Sequence, residues 1–179
     1  MKLTFPYTGV LIVTFLAANA GVSAFADEDK GASGGAIKIE SNIPFTKTTE
    51  VREAVRNECD LGGKLSGFIK EYGSSYDLNI EQSTDIAGDQ GKVLHVEITN
   101  VQGLGGGAWS GPKSVSIKGV LTENGKEVGT FHGSRHSGGG AFAGFKSSCA
   151  IFGRCVKALG RDVAKWLRSP SANASLGDG

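Results

Sequence analysis

KSVSIKGVLTENGKEVGTFHGSRH, residues 113–136, decides the fold. Two strand-like runs, Lys113–Thr122 and Lys126–His136, flank the turn Glu123-Asn124-Gly125-Lys126. Asn-Gly is the signal of a two-residue type I′ hairpin, because both central residues must take φ > 0. Such a turn sets Glu123 opposite Lys126, and the register then runs outward: Leu121 with Val128, Ile117 with His132, Val115 with Ser134. One face would hold Val115, Ile117, Leu121 and Val128 and belong to the core. The other would hold Ser114, Ser116, Lys118, Glu127 and Arg135, with Val120 and Phe131 as apolar exceptions. His132, near the core face, is expected to be buried and hydrogen-bonded.

At the open end of the hairpin stand two matching stretches, Gly105-Gly106-Gly107-Ala108-Trp109-Ser110-Gly111 and Gly138-Gly139-Gly140-Ala141-Phe142-Ala143-Gly144. The same register places Trp109 against Gly140 and Phe142 against Gly107, an aromatic covering a glycine on the neighbouring strand. Gly106, Gly107, Trp109, Gly139, Gly140 and Phe142 are therefore a candidate partner surface, with bare backbone beside two aromatics. The competing reading is structural: glycines inside strands mark bends and bulges, and Pro112 fits only an edge or bulge. Neither stretch ends in the Gly-Lys-Ser/Thr of a phosphate-binding loop.

Upstream, Val93–Val101 alternates apolar and polar residues and reads as a strand. Thr84–Gly91 reads as a loop, Tyr76–Glu81 as a short strand, and Ile37-Lys38-Ile39-Glu40 as the first strand. Between them a helix is expected, capped by Thr48 or Thr49 and carrying Val51, Val55, Cys59, Leu61, Leu65, Phe68, Ile69 and Tyr72 near the helical period. Gly62-Gly63 either kinks this helix or splits it. Downstream, Ser147 opens a last helix with the apolar stripe Cys149, Phe152, Val156, Leu159, Val163, Trp166 and Leu167. Its other side carries Arg154, Lys157, Arg161, Lys165 and Arg168, a basic face that fits an anionic surface or an acidic partner, or is a solvated helix back. Ser169-Pro170 stops the helix. The order implies an α+β two-layer sandwich: a mostly antiparallel, meander-like sheet of four to five strands with two helices on one face.

The N-terminus has the form of a secretory signal: Lys2, the apolar run Val10–Ala20, and Ala24-Phe25-Ala26 before a charged stretch. No cysteine follows the run to suggest a lipid anchor. The domain organisation expected is a signal peptide over 1–26, a flexible linker over 27–36, a single domain over 37–168 and a disordered tail over 169–179. The chain has 19 Lys and Arg against 18 Asp and Glu, and loss of Lys2 with the leader balances them. That balance argues against a nucleic-acid binder. Cys59, Cys149 and Cys155 are the cysteines. Cys149 and Cys155 are about 9 Å apart along a continuous helix, beyond disulfide reach. Cys59 and Cys149 both lie on apolar stripes, so Cys59–Cys149 is the expected bond, with Cys59–Cys155 next.

The element order from Ile37 to Arg168 resembles the amino-terminal domain of TolB. At the level of motifs, Gly105–Val115, Gly138–Phe145 and CAIFGRCVKALGRDVAKWL (149–167) resemble an uncharacterised family of exported bacterial, periplasmic proteins. The resemblance implies export to the periplasm or beyond, and brings no activity, cofactor or site residue with it.

The residues point to no catalytic, cofactor-binding or metal site. His95, His132 and His136 have no ligand spacing, no nucleophile elbow surrounds a serine, and no base accompanies a cysteine. The function expected is a non-enzymatic, exported envelope accessory or binding protein. Its expected partners are an envelope protein or an anionic surface, not nucleic acid, with no integral span after cleavage. The alternative is an enzyme or enzyme inhibitor acting on envelope polymers.

Overall fold

A computed structural model of the chain describes residues 1–2, 35–103, 113–138 and 147–178. The expected leader and most of the expected linker lie outside the described residues. In chain order the elements are β1 (Ile37–Glu40), α1 (Glu53–Glu58), α2 (Leu61–Ser74), β2 (Ile80–Ser83), β3 (Lys92–Gln102), β4 (Lys113–Glu123), β5 (Lys126–Ser137), α3 (Ser148–Trp166) and β6 (Ala174–Gly177). The strands make one sheet in the order β2-β1-β3-β4-β5-β6. α2 and α3 pack side by side on one face of it, which is the α+β two-layer arrangement the sequence implies.

The long centre, β3-β4-β5, is an antiparallel meander. The edges are not. β1 runs parallel to both β2 and β3, and β5 runs parallel to β6. Parallel neighbours need a crossover on a sheet face. α1 and α2 supply it between β1 and β2, and α3 between β5 and β6. Among the described residues the sheet therefore has six strands rather than four or five, and the meander expected throughout is confined to its middle.

The turn is as the sequence requires: Asn124 has φ 52° and Gly125 φ 76°. Asn124 also ties the turn to the start of β3, its N–H donating to Gly91 O (2.8 Å) and its Oδ1 accepting from the Gly91 N–H (3.1 Å). Glu123 opposes Lys126 and Thr122 opposes Glu127, but Leu121 opposes Gly129. Val128 is the extra residue of a bulge. It is 39% exposed, not core as expected. Beyond it every pairing moves by one residue, which reverses the faces of β5. Ile117 opposes Gly133, Lys118 opposes His132 and Val115 opposes Arg135. Phe131 is thus buried and His132 exposed, the reverse of the expectation for both. Arg135 moves from the outer face to the helix face.

The shift has a packing cause. α3 approaches β5 over its glycines. A Cβ on Gly129 would stand 2.8 Å from Trp166 Cζ2, and one on Gly133 would stand 3.4 Å from Leu159 Cδ2. Between them Phe131 meets Trp166 edge-on, ring centroids 4.9 Å apart at 66°. Phe131 also covers the paired Gly119, where a Cβ would lie 2.4 Å from its Cζ. The core is completed by Ile39, Leu65, Ile69, Leu94, Val96, Ile98, Val115, Ile117, Phe152, Val156, Leu159 and Val163, all 2% exposed or less.

The helix before β2 divides at Cys59-Asp60, not at Gly62-Gly63. Asp60 takes a left-handed φ of 44° and its side chain accepts the Gly63 N–H, capping α2. Gly62 lies in the first turn of α2, where a Cβ would stand 2.3 Å from Ile43 O. Thr49 does not cap a helix, and α1 starts only at Glu53. The Thr49 hydroxyl instead donates to the carbonyls at Ile98 and Thr99 (3.0 and 3.1 Å), holding residues 44–49 along the bulged end of β3. At α3 the expectation is met: the Ser147 hydroxyl caps it by accepting from the Ala150 N–H.

The tail is a further correction. Ala174–Gly177 forms β6, pairing with Phe131–Ser134, where disorder was expected over 169–179. Ala174 and Leu176 face the core as partly buried side chains, so even this short segment removes apolar surface from water.

Candidate functional site

Cys59, the C-cap of α1, is bonded to Cys149 in the first turn of α3. The cross-link joins the junction of α1 and α2 to the start of α3. Cys155 is the free cysteine, 1% exposed. Burial pushes its thiol up to about 11, and it faces the Lys113 carbonyl at 3.6 Å. A thiol so held carries almost no thiolate near neutrality, so it is inert as a nucleophile.

The candidate partner surface at Gly106, Gly107, Trp109, Gly139, Gly140 and Phe142 lies outside the described residues. Near where β3 leads into it, a cleft of about 520 Å³ is lined by Thr49, Glu50, Arg52, Val101, Gly103 and Phe152, among others. Arg52 Nη2 donates to the Gly103 carbonyl across it (2.6 Å).

No described helix or strand covers the sheet face away from the helices. On it Lys118 pairs with Glu97 (2.8 Å) and Lys38 with Asp89 (3.1 Å), and His95 Nδ1 lies 3.4 Å from Glu40 Oε1. A shallow depression of about 300 Å³ lies among His95, Glu97, Lys118, Val120, Thr130 and Phe131. His95, His132 and His136 are all exposed and point to no common centre. Among the described residues no three His, Cys, Asp or Glu side chains converge as metal ligands.

At the other edge, Arg135 bridges the two elements that follow it. Its Nε donates to Asp162 of α3 (2.8 Å) and its Nη1 to Asp178 beyond β6 (2.5 Å). Asp178 also accepts the His136 N–H (3.1 Å), and its own N–H donates to Ser134 O (2.9 Å). The Asp178 carboxyl is held below its ordinary 3.8 by the His136 N–H first and Arg135 next. Arg135 is raised, chiefly by its hydrogen bond to Asp162. This latch fixes β6 in place. The sequence offers only a faint signal for it, the alternation of Ala174 and Leu176 with Ser175.

Arg154, Lys157, Arg161, Lys165 and Arg168 are all exposed along the outer side of α3. At about 100° per residue they fall within an arc of about 80°, directly opposite the buried stripe. Lys157 Nζ stands 5.6 Å from the centroid of the Phe68 ring, and Arg168 Cζ 5.0 Å from that of Tyr76.

No protein-family model matches the chain, and no curated protein does. Solved structures similar to it in outline include a minor lipoprotein from Acinetobacter baumannii, at 11% identity, covering 80% of this chain and 96% of that one, TM-score 0.47. PelC from Paraburkholderia phytofirmans, a dodecamer, is 12% identical over 72% of this chain and 87% of its own, TM-score 0.42. Lipoprotein GNA1162 from Neisseria meningitidis is 16% identical over 73% of this chain and 98% of its own, TM-score 0.41. No helix among the described residues is long and apolar enough to cross a membrane.

Proposed function

We propose that the chain is an exported accessory protein of the bacterial envelope that works by binding rather than by turnover. The observation that carries this reading is how its charge is distributed. On the sheet face away from the helices Lys118 pairs with Glu97 and Lys38 with Asp89, whereas on the outer side of α3 Lys157, Arg161, Lys165 and Arg168 face solvent in no ion pair among the described residues. A surface with one-signed, unmatched charge suits recognition of an opposite charge. Shifted titrations mark catalytic centres in many enzymes. Here the shifts of Arg135 and Asp178 have a structural cause, chiefly the hydrogen bond of Arg135 to Asp162 and that of the His136 N–H to Asp178 within the latch. Export is supported by the signal-like leader and by the Cys59–Cys149 bond, because disulfides persist in oxidising compartments. A kinship in element order with the amino-terminal domain of TolB is part of the same proposal.

The test is capture of partners by the tagged protein from cross-linked envelope extracts, with the same preparation offered envelope polymers as substrates. Enrichment of an envelope component without turnover supports the reading. Turnover of a polymer, with no component enriched, replaces it with the enzymatic alternative.

A further inference from the structure

We infer that the outer side of the helix layer is a peripheral docking surface for anionic phospholipid, with α3 lying along the bilayer surface. The inference rests on the envelope reading above and names the partner.

From Arg154 to Arg168, two residues past the end of α3, the row spans about 21 Å. Of residues 148–168, the one carboxylate is Asp162, and it is turned to Arg135 of β5. Among the described residues, the ion pairs within 4 Å involve none of Lys157, Arg161, Lys165 or Arg168. The charge of these four is therefore presented to a partner.

α2 runs alongside with no gap. A Cβ on Gly160 would meet the Phe68 Cβ at 2.6 Å. This contact brings half-buried aromatics of α2 and its following turn, Phe68, Tyr72 and Tyr76, to the flank of the cations. Lys157 and Arg168 lie over the rings of Phe68 and Tyr76. Aromatic rings beside lysine and arginine, on a helix parallel to the surface, are the composition of a membrane–water interface. The docking is peripheral, since no described helix can span a bilayer.

The test is sedimentation of the full-length, disulfide-bonded chain with vesicles. One set is phosphatidylcholine alone, and the other has about a third of its lipid as phosphatidylglycerol. The neutral set reads any contribution of the apolar leader. Each lysine or arginine near an anionic surface is worth about fivefold in binding, so Arg161→Gln with Lys165→Gln should weaken binding to the anionic set about thirty-fold. Lys92→Gln with Lys126→Gln, on the hairpin end, should leave it unchanged. Binding to the anionic set should also fall to the neutral level near 1 M salt, where screening acts within about 3 Å.

Equal binding to both sets, or anionic binding that survives the Arg161/Lys165 change, would overturn the inference. So would retention on an alginate column that needs Arg161 and Lys165 when vesicle binding does not. Cell fractionation keeps the two readings apart. An exported chain that ignores anionic vesicles loses this inference alone, and a vesicle-binding chain that stays in the cytoplasm loses the envelope reading.

Discussion

Removing the Cys59–Cys149 bond by Cys59→Ala with Cys149→Ala should cost the fold a large part of its stability. The bond closes a loop of 90 residues. Chain-entropy arithmetic for a loop of that length gives about 4.6 kcal/mol at 25 °C, released to the unfolded chain when the link is cut. Whole domains are stable by only about 5–15 kcal/mol. With a urea slope near 2 kcal/mol/M, the midpoint should fall by about 2 M. The melting temperature should fall by about 9–18 °C for a domain of this size. The link also ties α1 to α3, which otherwise share little contact, so the loss should show first as exposure near Cys59. The assay is urea unfolding of the double variant and of Cys155→Ala, followed by two probes. A midpoint displaced by less than about 0.5 M at an unchanged slope would refute the reasoning. It would mean that packing of α2 on α3 already restrains the chain as much as the covalent bond does.

Two glycines of α3 should respond in opposite directions to alanine. Gly160→Ala drives a Cβ into Phe68 and should destabilise by about 1–3 kcal/mol, whereas Gly153→Ala meets nothing within 4 Å and should stabilise by up to about 1 kcal/mol. Urea midpoints read both, and equal signs would contradict the packing described. The latch gives a pH dependence. Because the folded carboxyl of Asp178 is depressed below 3.8, its contribution is complete above that pH and is lost as the pH falls through the lowered value. The amide resonances of His136 and Asp178 should titrate together with a midpoint under 3.8, and a midpoint at or above it would remove the latch from the account. Cys155, buried and pushed up to about 11, should resist a thiol reagent in the native protein at mildly alkaline pH and react fully once unfolded. Rapid native labelling would show a more open core at Phe152 and Lys113 than described.

Local signals carried far in this chain. Asn124-Gly125 sets the turn, Ser147 caps α3, and the period of Phe152, Val156, Leu159 and Val163 sets the face of α3 and the place of the basic row. The cysteine pairing was also legible, because α-helical rise excluded Cys149 with Cys155 and shared apolar stripes favoured Cys59 with Cys149. The features that sequence did not show are those decided between elements. The parallel neighbours of β1 and β5 leave no local trace, since Ile37–Glu40 and Ala174–Gly177 would read alike in either direction. The division at Asp60 depends on a side chain that both enters a left-handed conformation and caps the next helix. In the candidate site, the row on α3 could be read from spacing, whereas the aromatics beside it required the contact at Gly160 that sets α2 against α3. The Arg135 latch required β6, and its two carboxylates sit 27 and 43 residues away.

The bulge at Val128 bears on how the hairpin comes to be threaded. The turn by itself is compatible with an unbulged ladder, in which Val128, Thr130, His132 and Ser134 would point towards the helices. Trp166 crowds the place a side chain would take at Gly129, and Leu176 of β6 crowds it at Gly133. α3 and β6 therefore act as a gauge laid against β5: they admit one threading of the ribbon and reject its neighbour. A hairpin peptide cut from this chain would be free to slide between the two, and what stops the sliding in the whole protein follows the hairpin in the chain.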